Sequence, residues 1–113
     1  MLKPHIKGDT FNGLCFTVTV NGTALDLTNI DINADFRLGS KTGCKVHKYS
    51  VGSGIVKTSA INGQFSLLKD YILNWDVGKW YFDVEFTYLD GKVKTYYSDI
   101  LIIVQDVTKW VIQ

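Results

Sequence analysis

Apolar and polar residues alternate along most of this chain, which is the pattern of β-strands with one buried face and one wet face. The clearest cases are residues 30–38 and 80–88, in which every second residue is apolar. Shorter runs of the same kind, such as residues 11–20 and 64–67, continue the pattern. We therefore predict seven or eight short strands separated by turns.

Short turn sequences separate these runs. The Asn-Gly pairs at positions 21–22 and 62–63 and the Asp-Gly pair at positions 90–91 tolerate the positive φ of a tight turn. Strands at intervals of about ten residues, with turn chemistry between them and no βαβ units, are typical of an antiparallel sandwich or barrel. We predict an all-β fold of one domain, 1–113, whose tails at 1–5 and 109–113 are mobile or bound to a partner.

One segment departs from the alternation. In residues 67–75 the apolar residues are spaced as on a helix, and Ser66 precedes them in a position to cap it. We therefore expect one short helical turn at residues 67–75, crossing the end of the sandwich.

The face of each strand that carries the large apolar residues is expected to form the core. Its predicted members are Phe16, Val18, Ile32, Phe36, Phe65, Trp80, Phe82, Val84 and Ile102. The polar residues of the same strands point the other way. The carboxylate pairs Asp31/Asp35 and Asp83/Glu85 are therefore predicted to lie on a solvated sheet face.

Composition limits the classes of function. The chain has 113 residues, of which 46% are hydrophobic and 20% charged, and its formal net charge is +1. This is the composition of a folded globular domain, and the small net charge offers no basic surface for nucleic acid. No apolar run approaches the ~18 residues of a membrane helix, and residues 1–10 lack the apolar stretch of a secretory signal. We expect neither a nucleic-acid nor a membrane partner.

Few residues offer chemistry of their own. The two cysteines, Cys15 and Cys44, are expected to be free thiols, and a bridge between them stays open on sequence grounds. Cys44 and His47 have the spacing of zinc ligands, but positions three apart on a strand point to opposite faces. A closed zinc site needs two more ligands, for which the remaining candidates are Cys15 and His5. With no nucleophile elbow and no phosphate-binding loop, we predict no enzyme, no metal and no cofactor.

Aromatic residues leave a second kind of site open. Phe, Tyr and Trp make up 13% of the chain. The rings that are candidates for stacking on a sugar are Trp75, Tyr81, Tyr96, Tyr97 and Trp110. In an all-β domain such rings more often fill the core and pair across strands. A carbohydrate-binding or adhesion module is therefore the alternative function.

The last predicted strand, residues 100–104, is apolar on both faces. Once the face with Ile102 is placed in the core, the other face needs a second cover. We expect that face and the apolar residues beyond it to contact a partner protein or a second copy, through Leu101, Ile103, Trp110, Val111 and Ile112. The alternative is that residues 109–113 fold back over the strand within one chain.

Residues 76–84 resemble the corner motif of immunoglobulin-like (Ig-like) domains, Asp-x-Gly-x-Tyr-x-Cys. Trp80 stands where the corner tyrosine would be, and Phe82 stands where the cysteine would be. The resemblance implies an Ig-like topology without the disulfide between the two sheets. The expected fold is thus a single antiparallel Ig-like β-sandwich.

An ordered set of short motifs resembles a known family. The motifs are Ile-Lys-Gly-Asp-Thr-Phe (6–11), Leu-Asp-Leu-Thr (25–28), Asp-Phe-Arg (35–37), Gly-Gln-Phe (63–65), Gly-Lys-Trp-Tyr-Phe-Asp-Val (78–84) and Val-Gln-Asp-Val-Thr (104–108). In this order they resemble the small β-sandwich modules of tailed-phage virion proteins, especially the N-terminal domain of phage baseplate upper proteins.

The resemblance implies a structural role in attaching and building virion appendages, without catalytic residues. It implies other virion proteins, further copies of this chain, or both, as partners. It also implies a place in the virion, after assembly in the cytoplasm of the bacterial host. Whether the module belongs to the baseplate, tail, neck or head decoration is left open.

Overall fold

The computed structural model describes residues 2–105 and is built from β-strands with one 3₁₀ turn. The strands are β1 (His5–Ile6), β2 (Thr10–Phe11), β3 (Leu14–Thr17), β4 (Thr19–Val20), β5 (Thr23–Ala24), β6 (Asp31–Leu38), β7 (Val46–Val51), β8 (Gly54–Ser59), β9 (Gln64–Leu67), β10 (Tyr71–Ile72), β11 (Gly78–Thr87) and β12 (Val93–Val104). The 3₁₀ helix Ala60–Asn62 links β8 to β9. The all-β class predicted from the alternation is confirmed.

Eight of the strands form one mixed sheet, in the order β1-β12-β11-β6-β7-β8-β9-β3. The other four form two small sheets, in which β10 pairs with β2 and β4 pairs with β5. In the large sheet β1 runs parallel to β12, and β7 runs parallel to β8. The strand and turn pattern predicts a sheet that is antiparallel throughout. The observed sheet is mixed.

A tight loop explains the second parallel pair. Gly52 and Gly54 both take positive φ values, 89° and 93°, which glycine adopts without steric cost. The Ser50 N–H donates to the Ser53 carbonyl, and the Gly52 N–H donates to the Ile55 carbonyl. The loop thereby lays the start of β8 alongside the end of β7 and does not fold it back as a hairpin.

The large sheet curls until β3, its last strand, faces β12. The ring of Phe16 on β3 lies 5.2 Å from the ring of Tyr97 and 6.1 Å from the ring of Tyr96, both on β12. Within residues 2–105 these two strands are not paired by a hydrogen-bond ladder. The line along which β3 and β12 meet through aromatic side chains is called the seam below.

The predicted Asn-Gly hairpin between β4 and β5 is confirmed. Asn21 and Gly22 take φ values of 52° and 81°, the left-handed geometry that a two-residue hairpin turn requires. Gly63 has no room for a side chain, because a Cβ atom there would lie 2.4 Å from the carbonyl oxygen of Val18. Glycine at position 63 thus lets β4 and the 3₁₀ turn approach each other closely.

The helical turn expected at residues 67–75 is absent, and that prediction is wrong. β9 ends at Leu67, and Leu68 and Asp70 then take φ values of 57° and 63°, which interrupt a right-handed helix. The Asp70 N–H donates to the Phe11 carbonyl, and β10 then pairs with β2. The helix-like spacing arises because the turn buries Leu68 directly after the buried Leu67.

The core lies on the inner face of the curled sheet. Seven of the nine predicted core residues are buried: Val18, Ile32, Phe36, Phe65, Trp80, Phe82 and Val84. Phe16 is half-buried at the seam, and Ile102 is half-buried on the outer face. The buried residues outside the predicted set include five from loops and turns, namely Leu27, Ile30, Leu68, Leu73 and Trp75.

A β-bulge in the β11–β12 pair accounts for the position of Ile102. Near the hairpin Glu85 lies opposite Thr95, whereas Val84 lies opposite Tyr97, so β12 carries one extra residue at this point. A shift of one residue exchanges the two faces for every residue that follows. In a regular hairpin, the face of β12 with Ile100 and Ile102 would point into the core. Beyond the bulge, the face with Leu101 and Ile103 points into the core instead.

The bulge corrects two expectations about the last strand. Leu101 lies opposite the buried Trp80 and is 1% exposed, and Ile103 is 0% exposed. Both residues belong to the core, so neither is available to contact a partner. Ile102 faces outward instead of inward for the same reason.

Trp80 is fully buried and holds the start of β11 in place. Its indole N–H donates to the carbonyl of Asp76, with an N···O distance of 2.9 Å. The corner tyrosine of Ig-like domains makes the same kind of contact, from its hydroxyl to the backbone a few residues upstream. Phe82, which stands where the cysteine would be, stacks on Phe36 with ring centroids 4.5 Å apart.

We expect Phe82→Ala to lower the free energy of unfolding by about 3–5 kcal/mol, because the change leaves a cavity beside Phe36. Urea unfolding followed by tryptophan fluorescence measures the effect. Leu89→Ala is the control, since Leu89 is 82% exposed and surface truncation changes stability by less than about 0.5 kcal/mol. Equal stability losses in the two variants would contradict the packing described.

Candidate interaction surface

One strip of the outer sheet face is apolar. Beyond the bulge β12 turns Ile100, Ile102 and Val104 outward, and β1 places Ile6 beside Val104. Tyr81 of β11 lies opposite Ile100. Ile6 is 37% exposed and the other four residues are half-buried. These five residues are called the outer patch.

The outer patch exists because β12 is apolar on both faces. Burial of Leu101 and Ile103 inside the fold turns the intervening apolar residues outward. Backbone pairing with β11 supports the whole strip, and at its end Val104 also pairs with Ile6 of β1. The Lys7 N–H also donates to the Val104 carbonyl at 2.8 Å. The patch is thus a fixed surface on a paired strand.

The neighbouring part of the outer face is polar, as the alternation predicts. Asp83 of β11 lies opposite Asp35 of β6, and Asp35 lies opposite Lys48 of β7. The Ser98 hydroxyl donates a 2.5 Å hydrogen bond to Asp83. The lysine and the hydrogen bond offset the repulsion between two facing carboxylates. This charged region forms a border beside the outer patch.

An aromatic cluster fills one end of the core. The His47 imidazole stacks on the Trp75 indole, with ring centroids 4.5 Å apart and planes 11° apart. Trp80 lies 5.0 Å from the same imidazole, and Tyr49 lies 6.2 Å from Trp75. Trp75 is 7% exposed. It is therefore a packing residue, and the expectation that its ring could stack on a sugar is corrected.

The remaining sugar-stacking candidates are distributed differently. Tyr81 belongs to the outer patch, and Tyr97 is half-buried at the seam. Tyr96 is 37% exposed and lies flat on Phe86, with ring centroids 4.8 Å apart and planes 7° apart. Trp110 lies outside the described residues. Of the candidate rings that the structure describes, Tyr96 is the most exposed and is the one open to a ligand.

His47 is held in its neutral form. Burial among the rings lowers its pKa from the ordinary value of 6.5, Lys45 adds to the effect, and Asp76 opposes it. The Lys45 ammonium and the Asp76 carboxylate form an exposed ion pair with an N···O distance of 2.5 Å, which lowers the pKa of Asp76. His47 consequently packs as an uncharged ring at neutral pH.

A second polar pair lies at the seam. The Tyr97 hydroxyl donates to the Asp99 carboxylate at 2.6 Å, and this hydrogen bond raises the pKa of Tyr97 to about 12. The same bond lowers the pKa of Asp99, which also accepts from the Ile100 N–H at 2.8 Å. Both partners keep their protonation states near neutral pH, so the pair is a fixed polar contact.

The residues considered for metal binding are not brought together. Cys15 and Cys44 are both free and exposed. The His5 imidazole contacts the Asp9 carbonyl, with an Nε2···O distance of 2.9 Å, while His47 belongs to the aromatic cluster. Across residues 2–105 no group of three or more His, Cys, Asp or Glu side chains is arranged to hold a metal ion.

A groove of about 260 Å³ opens at one end of the seam, between the β4–β5 hairpin and the first half of β12. Its lining combines apolar, aromatic and polar side chains: Val18, Thr19, Val20, Leu25, Phe86, Tyr88, Lys94, Thr95 and Tyr96. We call it the seam groove. No local sequence pattern indicates this groove, because it is formed by the curl of the sheet and by the bulge.

The candidate contact residues are thus only partly those expected. The sequence predicted that Leu101 and Ile103 would face outward, whereas the structure buries them and turns the face with Ile100, Ile102 and Val104 outward. Ile6 was missed, although its place beside Val104 makes it continuous with that face. Trp110, Val111 and Ile112 lie outside the described residues, and their role stays a prediction.

No family model matches this chain, and no curated protein matches it. None of the helical segments within residues 2–105 has the length and apolar character needed to cross a membrane.

Acidification should destabilise the fold through His47. Unfolded His47 takes up a proton near its ordinary pKa of 6.5, whereas the folded residue does so at lower pH. The stabilisation that neutral His47 contributes is therefore fully present above pH 6.5, and it is lost as the pH falls through the pKa of His47 in the folded state. The urea midpoint is measured between pH 7.5 and 5.5 for the wild type and for His47→Gln.

We expect His47→Gln to show a weaker dependence of the urea midpoint on pH than the wild type. His5→Gln is the matched control, because His5 lies outside the aromatic cluster and its loss should leave this dependence in place. An unchanged pH dependence in His47→Gln would show that the aromatic cluster does not favour neutral His47.

Proposed function

We propose that this chain is a non-enzymatic structural or assembly module of a phage or prophage virion, acting through protein–protein contacts. The observation that carries the proposal is the outer patch, an apolar strip on a paired strand at the end of the sheet. Contact with another protein removes such a strip from water, which is favourable in proportion to the apolar area covered.

The surroundings of the outer patch support this assignment. Stable interfaces commonly have an apolar centre and a polar rim. Here Lys79 lies opposite Ile102 on the neighbouring strand, and Asp83 lies opposite Ser98. Charged residues of β11 thus lie beside the apolar strip, and none of the five residues of the strip itself is charged.

The virion assignment comes from the order of the short motifs between residues 6 and 108, which resembles phage baseplate modules. An Ig-like relationship is part of the same proposal. Two features support it: the contact between the Trp80 indole and the Asp76 carbonyl, and the aromatic packing of Phe82. Within a virion, the partners are neighbouring virion proteins, further copies of this chain, or both.

Ile102→Lys tests the outer patch, because it puts a charge at the centre of the strip. We expect self-association, or docking to the neighbouring virion protein, to weaken at least tenfold, since tenfold corresponds to about 1.4 kcal/mol and an unpaired buried charge costs more. Sedimentation velocity and titration with the purified neighbour measure the change.

Val56→Lys is the matched control, because Val56 is a β-branched residue on β8 that is 58% exposed. It should leave association unchanged. Electron microscopy of particles labelled with an antibody against the chain tests the virion assignment, as do the genes on either side of its own. Particles without label, from a locus without tail, portal or capsid genes, would contradict it.

A carbohydrate-binding module is the second candidate, and Tyr96 is the observation that favours it. The exposed ring lies in the seam groove beside Lys94, Thr95 and Thr19, and a sugar site combines such a ring with polar groups. If this function is correct, a glycan array shows binding by the wild type that Tyr96→Ala abolishes. Tyr71→Ala is the control, since Tyr71 is 41% exposed and does not line the groove.

A further inference from the structure

Two strand edges form the walls of the seam groove. Each of these two strands is paired along one of its edges, β4 with β5 and β12 with β11. On the other side of β12, β1 covers Ile103 and Val104, and no strand within residues 2–105 covers residues 93–102. Among the described strands, the curled sheet is therefore not closed by hydrogen bonds along this line.

One hydrogen bond shows which peptide groups face the open edge. Lys7 donates its N–H to the Val104 carbonyl, so Val104 turns its peptide groups toward the edge. Every second residue of a strand does the same, which directs the peptide groups of Ile102, Ile100 and Ser98 to this edge. Such a row of unpaired groups is a template for another strand.

The interior of the seam groove complements this edge. The bulge turns both Tyr96 and Tyr97 inward, and Tyr96 then covers Phe86. Val18 is 3% exposed and Phe86 is 2% exposed, so the floor is apolar. An extended peptide fits both features, because its backbone pairs with the edge while every second side chain reaches the floor.

A segment that favours strand formation follows β12 in the sequence. Residues 107–112 are Val, Thr, Lys, Trp, Val and Ile, which are mostly β-branched or aromatic. In an extended segment Asp106, Trp110 and Ile112 share one face and Lys109 lies on the other. That face has apolar side chains for the groove floor and a carboxylate for Lys94, the one charged residue among the groove's described lining.

The length of the chain indicates which copy can supply this segment. The Cα of Trp110 is six residues beyond Val104, and so lies within about 22 Å of it. Thr95 in the groove is nine residues before Val104 along β12, at roughly 30 Å. The backbone at Trp110 therefore cannot pair beside Thr95 of its own β12, whereas that of a second copy can.

We propose that residues 106–112 of one copy add as a strand to β12 of a second copy, with Trp110 and Ile112 on the floor of the seam groove. This inference rests on the proposed function, since it names the partner in an assembly contact. It uses the backbone edge of β12 and the interior of the seam groove, whereas the outer patch uses outward side chains of the same strand, so variants in the groove and in residues 106–112 test it separately.

Two full-length variants test the proposal by complementation. Val20→Lys changes the groove wall at a residue that is 53% exposed, and Trp110→Asp changes the added strand. Each variant alone should sediment as a monomer at a concentration at which the wild type associates. An equimolar mixture should associate again, since each unlike pair keeps one intact groove and one intact strand segment.

Val56→Lys is the control for an added surface charge and should associate like the wild type. Thermal unfolding confirms that the variants remain folded. Tyr96→Lys is a second groove variant and should behave like Val20→Lys. A mixture that stays monomeric, or a wild type that is itself monomeric throughout, overturns the inference.

Two further outcomes separate this inference from the proposed function. If Ile102→Lys abolishes association while Val20→Lys and Trp110→Asp leave it intact, assembly through the outer patch stands and the strand-addition contact is wrong. If a glycan binds the groove and Tyr96→Lys abolishes that binding without affecting association, the groove is a sugar site and the inference again falls.

Discussion

The extra residue that β12 carries opposite β11 is the constraint on which the rest of this structure depends. Side chains alternate between the two faces of a strand, so one inserted residue exchanges the roles of every residue after it. Leu101 and Ile103 thereby complete the core beside Trp80, and a second apolar row is left outside. The same insertion turns Tyr96 and Tyr97 toward one side, which gives the seam its aromatic contacts.

Aromatic packing replaces hydrogen bonding where the sheet comes back on itself. Phe16 touches Tyr96 and Tyr97 across the seam, and it stacks on Phe65 with ring centroids 4.8 Å apart. Ring contacts of this kind stabilise the closure without satisfying the backbone groups of either strand. Across residues 2–105 the fold therefore keeps a packed interior and an unpaired strand edge at the same place.

Period-two alternation was enough to predict the class of fold, most of the core and the polar sheet face, because each depends on local pattern alone. The Asn21 and Gly22 turn was equally readable, since its geometry is set by two residues. The failures have a different origin. The spacing in residues 67–75 suits a helix as well as the observed turn, which is fixed by contacts with β2. The face of Ile102 depends on a bulge, and the place of Ile6 depends on pairing with a strand almost a hundred residues away in sequence.

The pairing of β1 with β12 has a consequence for synthesis on the ribosome. His5 and Ile6 are made among the first residues, but their partners Ile103 and Val104 are the end of the last described strand. Until β12 has emerged, β1 has no neighbour and the buried row of β11 has one open side. Chains interrupted before residue 93 therefore expose unpaired strand edges. We expect chaperones to bind such chains and proteases to degrade them.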